Sequence, residues 1–383
     1  MVTRYFSVAT LAALLAVSAQ AHAQLVISAN DGKAMLVNGV NVVPAPPGPD
    51  TITILDASVT PPRIVSELRV PNSVIGPPQN VAFAPDGSFA IITSSTRVDP
   101  ADASKTVPDN TVTIIDLRRT PAATIGTVQA GTGASGASFS PDGRLLLVAN
   151  RGEGTISVFT VSGTTLTASA RVDLGAPASG PSHVAFARDG RTALVTRNAD
   201  HLVSVLAISG TTVTYTKRDI VAGLKPYGME ITPDGTLALV ASTGSGTTGS
   251  VDTVAVIDLT LDQPRTVDYV NVGVIPEAIA ISPDGRFAAL TVMNGTNAVP
   301  GSPTFNNFGR LRVFAIANKT LTPVAEARIG NWCQGVTWTN GTTVLAQCMT
   351  EREIQVFRFD GKVLTAAGRV PINGAPAGIG VRR

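Results

Sequence analysis

Past residue 23 the chain holds two histidines, His183 and His201, and two cysteines, Cys333 and Cys348. Their spacing matches no transition-metal ligand set. Neither a G-x-S-x-G elbow nor an H-E-x-x-H pair is present. No metal and no cofactor is therefore expected. Asp99, Asp102 and Asp109 offer the oxygen donors that calcium takes, but match no position-specific calcium loop. Two stretches, Gly131–Gly136 and Gly244–Gly249, fit G-x-G-x-x-G. A dinucleotide site needs that turn to open a helix, whereas both runs lead into strand-like sequence.

The side chains left for chemistry stand at one point of a repeated pattern. Gln79, Asn80, His183, Tyr227, Glu277, Trp332 and Gln334 come just before or at the start of strand-like runs. Asn150, Arg151, Arg197, Asn198 and Asn294 come at the end of others, and Arg352 opens one more. Converging amides, arginines and aromatics suit a small anionic or hydroxylated molecule, with arginine meeting carboxylate oxygens.

The elements that position them form a repeat. Ala84-Pro85-Asp86-Gly87 returns as Ser140-Pro141-Asp142-Gly143, Ala187-Arg188-Asp189-Gly190, Thr232-Pro233-Asp234-Gly235 and Ser282-Pro283-Asp284-Gly285, with a shorter Asn340-Gly341. The turns stand 45 to 56 residues apart, the period of a four-stranded propeller blade. Asp-Gly and Asn-Gly accept the positive φ of a tight hairpin. A strand A precedes each turn, as at 279–281, and an unbroken apolar strand B follows, as at 145–149. An alternating strand C comes next, as at 110–116, and strand D ends in Val-Gly or Ile-Gly, as at Val272-Gly273. Apolar B strands suit sheets packed on both faces.

Strand C begins seven times, near Asp50, Asn110, Gly154, His201, Val251, Gly309 and Arg352. Six A strands precede a turn; the seventh is the orphan 378–381, while 25–30 aligns with strand B at 145–150. The expected fold is all-β: one seven-bladed β-propeller over residues 24–383, built of four-stranded antiparallel blades. The N-terminus supplies strands B, C and D of one blade and the C-terminus its strand A, which leaves no free edge at the ring junction. Reading Asn30-Asp31-Gly32 as a seventh turn also gives seven blades.

The pattern P-x-x-V-A-F-S-P-D-G-R, then L-V-A-N, then N-T-V-S-V-I-D resembles the YVTN-repeat propellers and the wider lactonase-like superfamily, over nearly the whole mature chain. That resemblance implies the propeller and a group mixing binding proteins, surface proteins and sugar-lactone hydrolases. It also implies a role for His183: the run 181–186 looks like the strand start where lactonase-like propellers place a histidine. There it would act as general base on a lactone carbonyl or its attacking water, with 197–201 in the place of their next loop. The following blade departs from them: Lys225-Pro226-Tyr227-Gly228 has no histidine, and its strand B ends in Ala241-Ser242 where those enzymes tend to carry a glutamate.

Because strand direction alternates, the Pro-Asp-Gly turns lie on one face and the D–A and B–C connections on the other, round the channel mouth. B–C connections are long in blades 1 (31–49), 2 (95–109), 5 (243–250) and 6 (294–308), and short in blades 3, 4 and 7. Insertions confined to one face mark a binding face. They predict two walls, blades 1–2 and 5–6, and a cleft across the mouth from blades 3–4 to blade 7.

With Asn340-Gly341 as a two-residue turn, Cys333 and Cys348 fall opposite each other, where Cα atoms lie about 4.5 to 5.5 Å apart, within disulfide reach. Residues 1–23 read as a signal peptide, with Arg4, an apolar stretch at 6–17 and Ala21-His22-Ala23. The apolar stretch is too short to span a bilayer, and no later one is long enough. A periplasmic or secreted protein with the disulfide formed follows. A net charge of +2 without a Lys/Arg stripe excludes a nucleic-acid footprint. The expected function is binding of a small ligand or protein partner at the mouth, without a complete catalytic set. The alternatives are a lactonase-like hydrolase using His183 with Arg151 or Arg197, and a structural subunit of a cell-surface assembly that buries the loop 40–49.

Overall fold

The computed structural model describes residues 24–246 and 248–383; the signal-peptide reading lies outside them. Seven four-stranded antiparallel sheets follow one another, each in the order A-B-C-D. In blade 1, strand A is Ala375–Val381, B is Leu25–Asp31, C is Thr51–Asp56 and D is Arg63–Arg69. In blades 2 to 7 strand A is Val81–Phe83, Ala134–Phe139, Pro181–Phe186, Pro226–Ile231, Pro276–Ile281 and Cys333–Trp338. The B strands there are Phe89–Thr93, Leu145–Asn150, Thr192–Arg197, Leu237–Ser242, Phe287–Val292 and Thr343–Cys348. Ring closure follows the expected scheme: Ile27 faces Gly380 and Ser28 faces Ile379, while Ile27 pairs with Ile54 on its other side.

Alternation along the B strands explains why they are mostly apolar on both faces. Leu146 and Val148 pack into the core shared with blade 2, and Leu145, Leu147 and Ala149 into the core shared with blade 4. A B strand buried on both faces has no position left for a solvated side chain. Each of the seven blade junctions holds a core of this kind.

The Pro-Asp-Gly turns are four-residue loops, two residues longer than a two-residue hairpin. Ala84 donates its N–H to Phe89 O at 3.0 Å, and Gly87 donates to Ala84 O at 2.8 Å. The turn glycines take the left-handed conformation, at φ +67, +71, +66, +76 and +74, which only glycine adopts without strain. The aspartate accepts from the backbone two residues on, as Asp142 does from Arg144 at 3.1 Å, so its role is local.

Blade 7 corrects the register argument while keeping its result. Thr339 N–H donates to Thr343 O at 3.0 Å, so Asn340-Gly341 sits in a three-residue loop. A bulge between Cys333 and Val336 restores the offset, and Cys333 again faces Cys348. The two form a disulfide with Cα atoms 3.9 Å apart.

The long B–C connections do not form two separate walls. That of blade 1 carries a hairpin, Met35–Val37 with Val40–Val42, which leans across blade 7 and meets the blade 6 connection. A Cβ on Gly39 would lie 2.8 Å from the Ala298 backbone. Blade 5 joins the same mass, since a Cβ on Gly249 would touch Thr304 at 2.9 Å. The predicted gap at blade 7 is therefore bridged. Asp99, Asp102 and Asp109 do not gather into a ligand set among the described residues; Asp102 pairs with Lys105 at 2.8 Å.

A chain ending at Gly374 tests the closure. It strips strand B of blade 1 of one ladder and removes Ala375, Ala377 and Ile379 from two apolar clusters. The expected outcome is loss of a cooperative melting transition in circular dichroism and aggregation through the bared edge.

Candidate functional site

The channel mouth is shaped by a connection other than the B–C loops. Between strand D of blade 1 and strand A of blade 2 the chain runs through residues 70–80, whereas the next such connections are only 130–133 and 174–180. This connector is anchored by a buried charged knot. Lys33 Nζ reaches Asp31 at 3.2 Å and Asp50 at 2.9 Å, and also donates to Asn72 O. Asp31 accepts from Val74 N–H at 2.8 Å, and Asn72 Nδ2 donates to Asn30, Thr51 and Val70 carbonyls. Burial raises the Asp50 carboxyl against the pull of Lys33.

From this anchor the connector crosses the mouth. Gly76 N–H donates to Tyr227 Oη at 3.1 Å, and Tyr227 belongs to blade 5, on the far side of the ring. Gly76 has φ +117, and a Cβ there would fall 2.3 Å from Ser135 Oγ, so only glycine fits. Three residues on, the Gln79 side chain pairs with the backbone of the opposite blade. Its Nε2 donates to Met229 O at 2.6 Å and its Oε1 accepts from Met229 N–H at 3.1 Å. The amide copies one rung of a β-ladder across the axis.

Beneath this brace, toward the Pro-Asp-Gly face, lies an open cavity of about 300 Å³. Gln79, His183, Ser138 and Thr337 line it, and Glu230 and Arg383 stand at its outer end, joined at 2.7 Å. Cross-axis contacts thus brace the mouth above the cavity, where loop lengths alone predict an unobstructed cleft.

Level with the brace, the starts of the A strands form a polar layer. In blades 3 to 7 the A–B ladder is broken there by a bulge, between Ala134 and Ala137, Pro181 and His183, Pro226 and Met229, Pro276 and Ala278, and Cys333 and Val336. Bulges re-aim side chains. Asn80, Ser135, His183, Glu277 and Gln334 are between 1 and 7 % exposed, and each keeps at least one side-chain atom without a hydrogen-bond partner. Gly136 makes room for the imidazole, since a Cβ there would lie 2.4 Å from His183 Nδ1.

Arg151 roofs this layer. Its guanidinium lies 5.6 Å from the centre of the Tyr227 ring, reaches Asn198 Oδ1 at 3.3 Å and donates to Ser182 Oγ. Burial pushes Glu277 up to about 8, against the lowering pull of Arg151. Burial also raises the Tyr227 phenol, helped by the Glu277 charge. Burial alone takes His183 down to about 3, so it is a neutral imidazole at physiological pH.

Of the residues the sequence singles out, Gln79, Asn80, Arg151, His183, Asn198, Tyr227, Glu277 and Gln334 belong to this layer and its roof. The others serve elsewhere. Asn150 is fully buried and spent on Gly131 N–H, Thr155 and Ser157. Arg197 turns away into an ionic cluster with Asp200, Asp219, Ser204 and Tyr215. Asn294 holds Phe308 O at 3.0 Å, Trp332 packs beside Met349 and Leu36, and Arg352 is exposed beside the blade 1 connection. Gly76, Ser135 and Glu230 were not singled out. The signal that finds the first is the length of the 70–80 connection with its Pro77-Pro78 pair.

The two perturbed groups act on stability in opposite senses. Folded His183 is deprotonated down to about pH 3, while in the unfolded chain it titrates near 6.5. Its contribution is complete above 6.5 and is lost as pH falls toward 3. Folded Glu277 keeps its proton to about pH 8, whereas unfolded glutamate releases it near 4.3, so its contribution fades as pH rises through that window. Melting curves across pH should show His183→Gln gaining on the parent toward acid and Glu277→Gln gaining toward pH 8. Parallel profiles for parent and variants would contradict both assignments.

Comparison with known proteins agrees with this architecture. The family described as lactonase, seven-bladed β-propeller, matches residues 77–213 and 129–369. No curated protein matches the chain by sequence. Among solved structures, a candidate 6-phosphogluconolactonase from Bacteroides uniformis superposes with TM-score 0.71 at 16 % identity, covering 94 % of this chain and 99 % of that one. The periplasmic gluconolactonase PpgL of Pseudomonas aeruginosa gives 0.66 at 17 %, covering 94 % and 98 %. A functionally unknown protein from Desulfotomaculum acetoxidans gives 0.68 at 15 %, covering 93 % and 98 %. With most of its length matched and seven closed blades to carry the match, the chain belongs to the lactonase seven-bladed β-propeller family.

Proposed function

We propose that the polar layer at the channel mouth binds a small polyhydroxylated carboxylate, a sugar acid or its lactone, with the 70–80 connector as its cover. One observation carries this reading: at or just before the start of the inner strand in five blades stands a buried polar side chain with an unused hydrogen-bonding atom. Buried polar groups are normally paired, and a hydroxyl-rich molecule supplies donors and acceptors in the needed density. Arg151, half-buried at the rim, supplies the positive charge for a carboxylate. The family and the gluconolactonase named among the similar structures support the substrate class. The disulfide and that neighbour's periplasmic location support export.

Glu277 favours a second reading, hydrolysis of the lactone. Water adds to the carbonyl carbon, the ring C–O bond breaks, and the departing ring oxygen needs a proton. A carboxyl titrating near 8 is protonated at neutral pH and can give it, recovering a proton from the added water. His183, titrating near 3, is too weak a base to activate water and serves this reading as a hydrogen-bonding wall.

Thermal shift with D-gluconate and glucono-1,5-lactone tests the binding reading. Saturating ligand should raise the melting temperature by several degrees, and Arg151→Ala should remove most of the gain. Absence of any shift with sugar acids and lactones would sink it. Lactone opening above the spontaneous rate, lost in Glu277→Gln with binding retained, would establish the hydrolase.

A further inference from the structure

Because the blades repeat, the chain can be compared with itself. At the blade 6–7 junction the space near the turn face is filled by Phe287, Phe359 and Trp338, with ring centres 4.9 and 5.7 Å apart. The corresponding positions follow from the hydrogen bonds: Phe359 N–H donates to Thr342 O as Leu117 does to Ser88 O, and Ile316 donates to Arg286 O as Ala57 does to Gln24 O. Leu117 therefore stands where Phe359 stands, and Leu25 where Phe287 stands. Two leucines replace two interlocked rings, and the blade 1–2 junction keeps a cavity of about 330 Å³.

Leu25, Ile54 and Leu117 line the cavity, together with Val65, which is 45 % exposed. Arg63 and Arg119 stand at its edge. Arg63 already pairs with Asp56 at 3.2 Å. Arg119 is exposed and makes no hydrogen bond or ion pair among the described residues. An apolar hollow of ligand size with an exposed guanidinium at its lip has the make-up of a site for an amphipathic anion. We propose that the blade 1–2 junction is a second binding site, separate from the axial one, for a carboxylate with a short acyl or aryl body. The body fills the space that phenylalanine rings fill between blades 6 and 7, and the carboxylate meets Arg119.

Titration of the full chain with hexanoate, followed by calorimetry or ligand-observed NMR, decides it. Saturable one-site binding is expected, about tenfold weaker for 1-hexanol and for Arg119→Ala, since one such contact is worth roughly 1.4 kcal/mol. Leu117→Phe, which copies blade 7, should abolish binding, and Val65→Glu, a change on an exposed wall, should do so by repulsion if the first variant folds poorly. Absence of saturable hexanoate binding overturns the proposal, as does binding that survives both cavity variants or that hexanol matches. Gluconate binding should be unaffected by either variant, which separates this site from the axial one.

Discussion

One antiparallel ladder, Val26–Asp31 against Ala375–Val381, joins the two ends of the described chain, and the rest of the structure presupposes it. Closing so long a loop costs conformational entropy that grows only slowly with length. The gain is that no strand of the inner ring is left with an open edge. The seam also completes two apolar cores, since Val26 and Ile379 pack with blade 7 while Ile27 and Ile52 pack with blade 2. Only with the circle shut do blades 2 and 5 stand across an axis from each other.

The blades were readable in the sequence because each is dictated locally. Left-handed glycines at the turns, B strands with no solvated face, and C strands that alternate are all short-range consequences of backbone sterics and burial. The paired cysteines were readable too, although the turn between them is a residue longer than supposed and a bulge makes up the difference. The mouth was not readable in the same way. Loop lengths said which connections are long, yet the direction they take is set by contacts between blades far apart in sequence, such as Gly39 against Ala298. The connector 70–80 is no longer than the B–C loops of blades 1, 2 and 6 and carries no repeat motif, so its contacts across the axis are what mark it as the brace.

Candidate site residues sort by the same logic. Strand starts gave Tyr227, Glu277 and His183 their shared level, since the repeat sets the height of each along the axis. Strand ends were less informative: Asn150 and Arg197 occupy equivalent positions but spend their side chains on neighbours of their own blade. Two kinds of buried polarity coexist as a result. The Lys33 knot is matched by Asp31, Asp50 and Asn72, and so holds a loop. The layer at the bulges keeps unused donors and acceptors, a cost to stability concentrated at the mouth.

A stack of repeats ordinarily transmits stability only from each unit to the next, so that melting can start at any weak member and spread. Gln79 and Gly76 change that arithmetic here, because they tie blade 2 directly to blade 5. The molecule behaves less like beads closed into a necklace than like a wheel with a spoke. Fraying blade 2 or blade 5 must also break a bond to the blade three places away, across the axis.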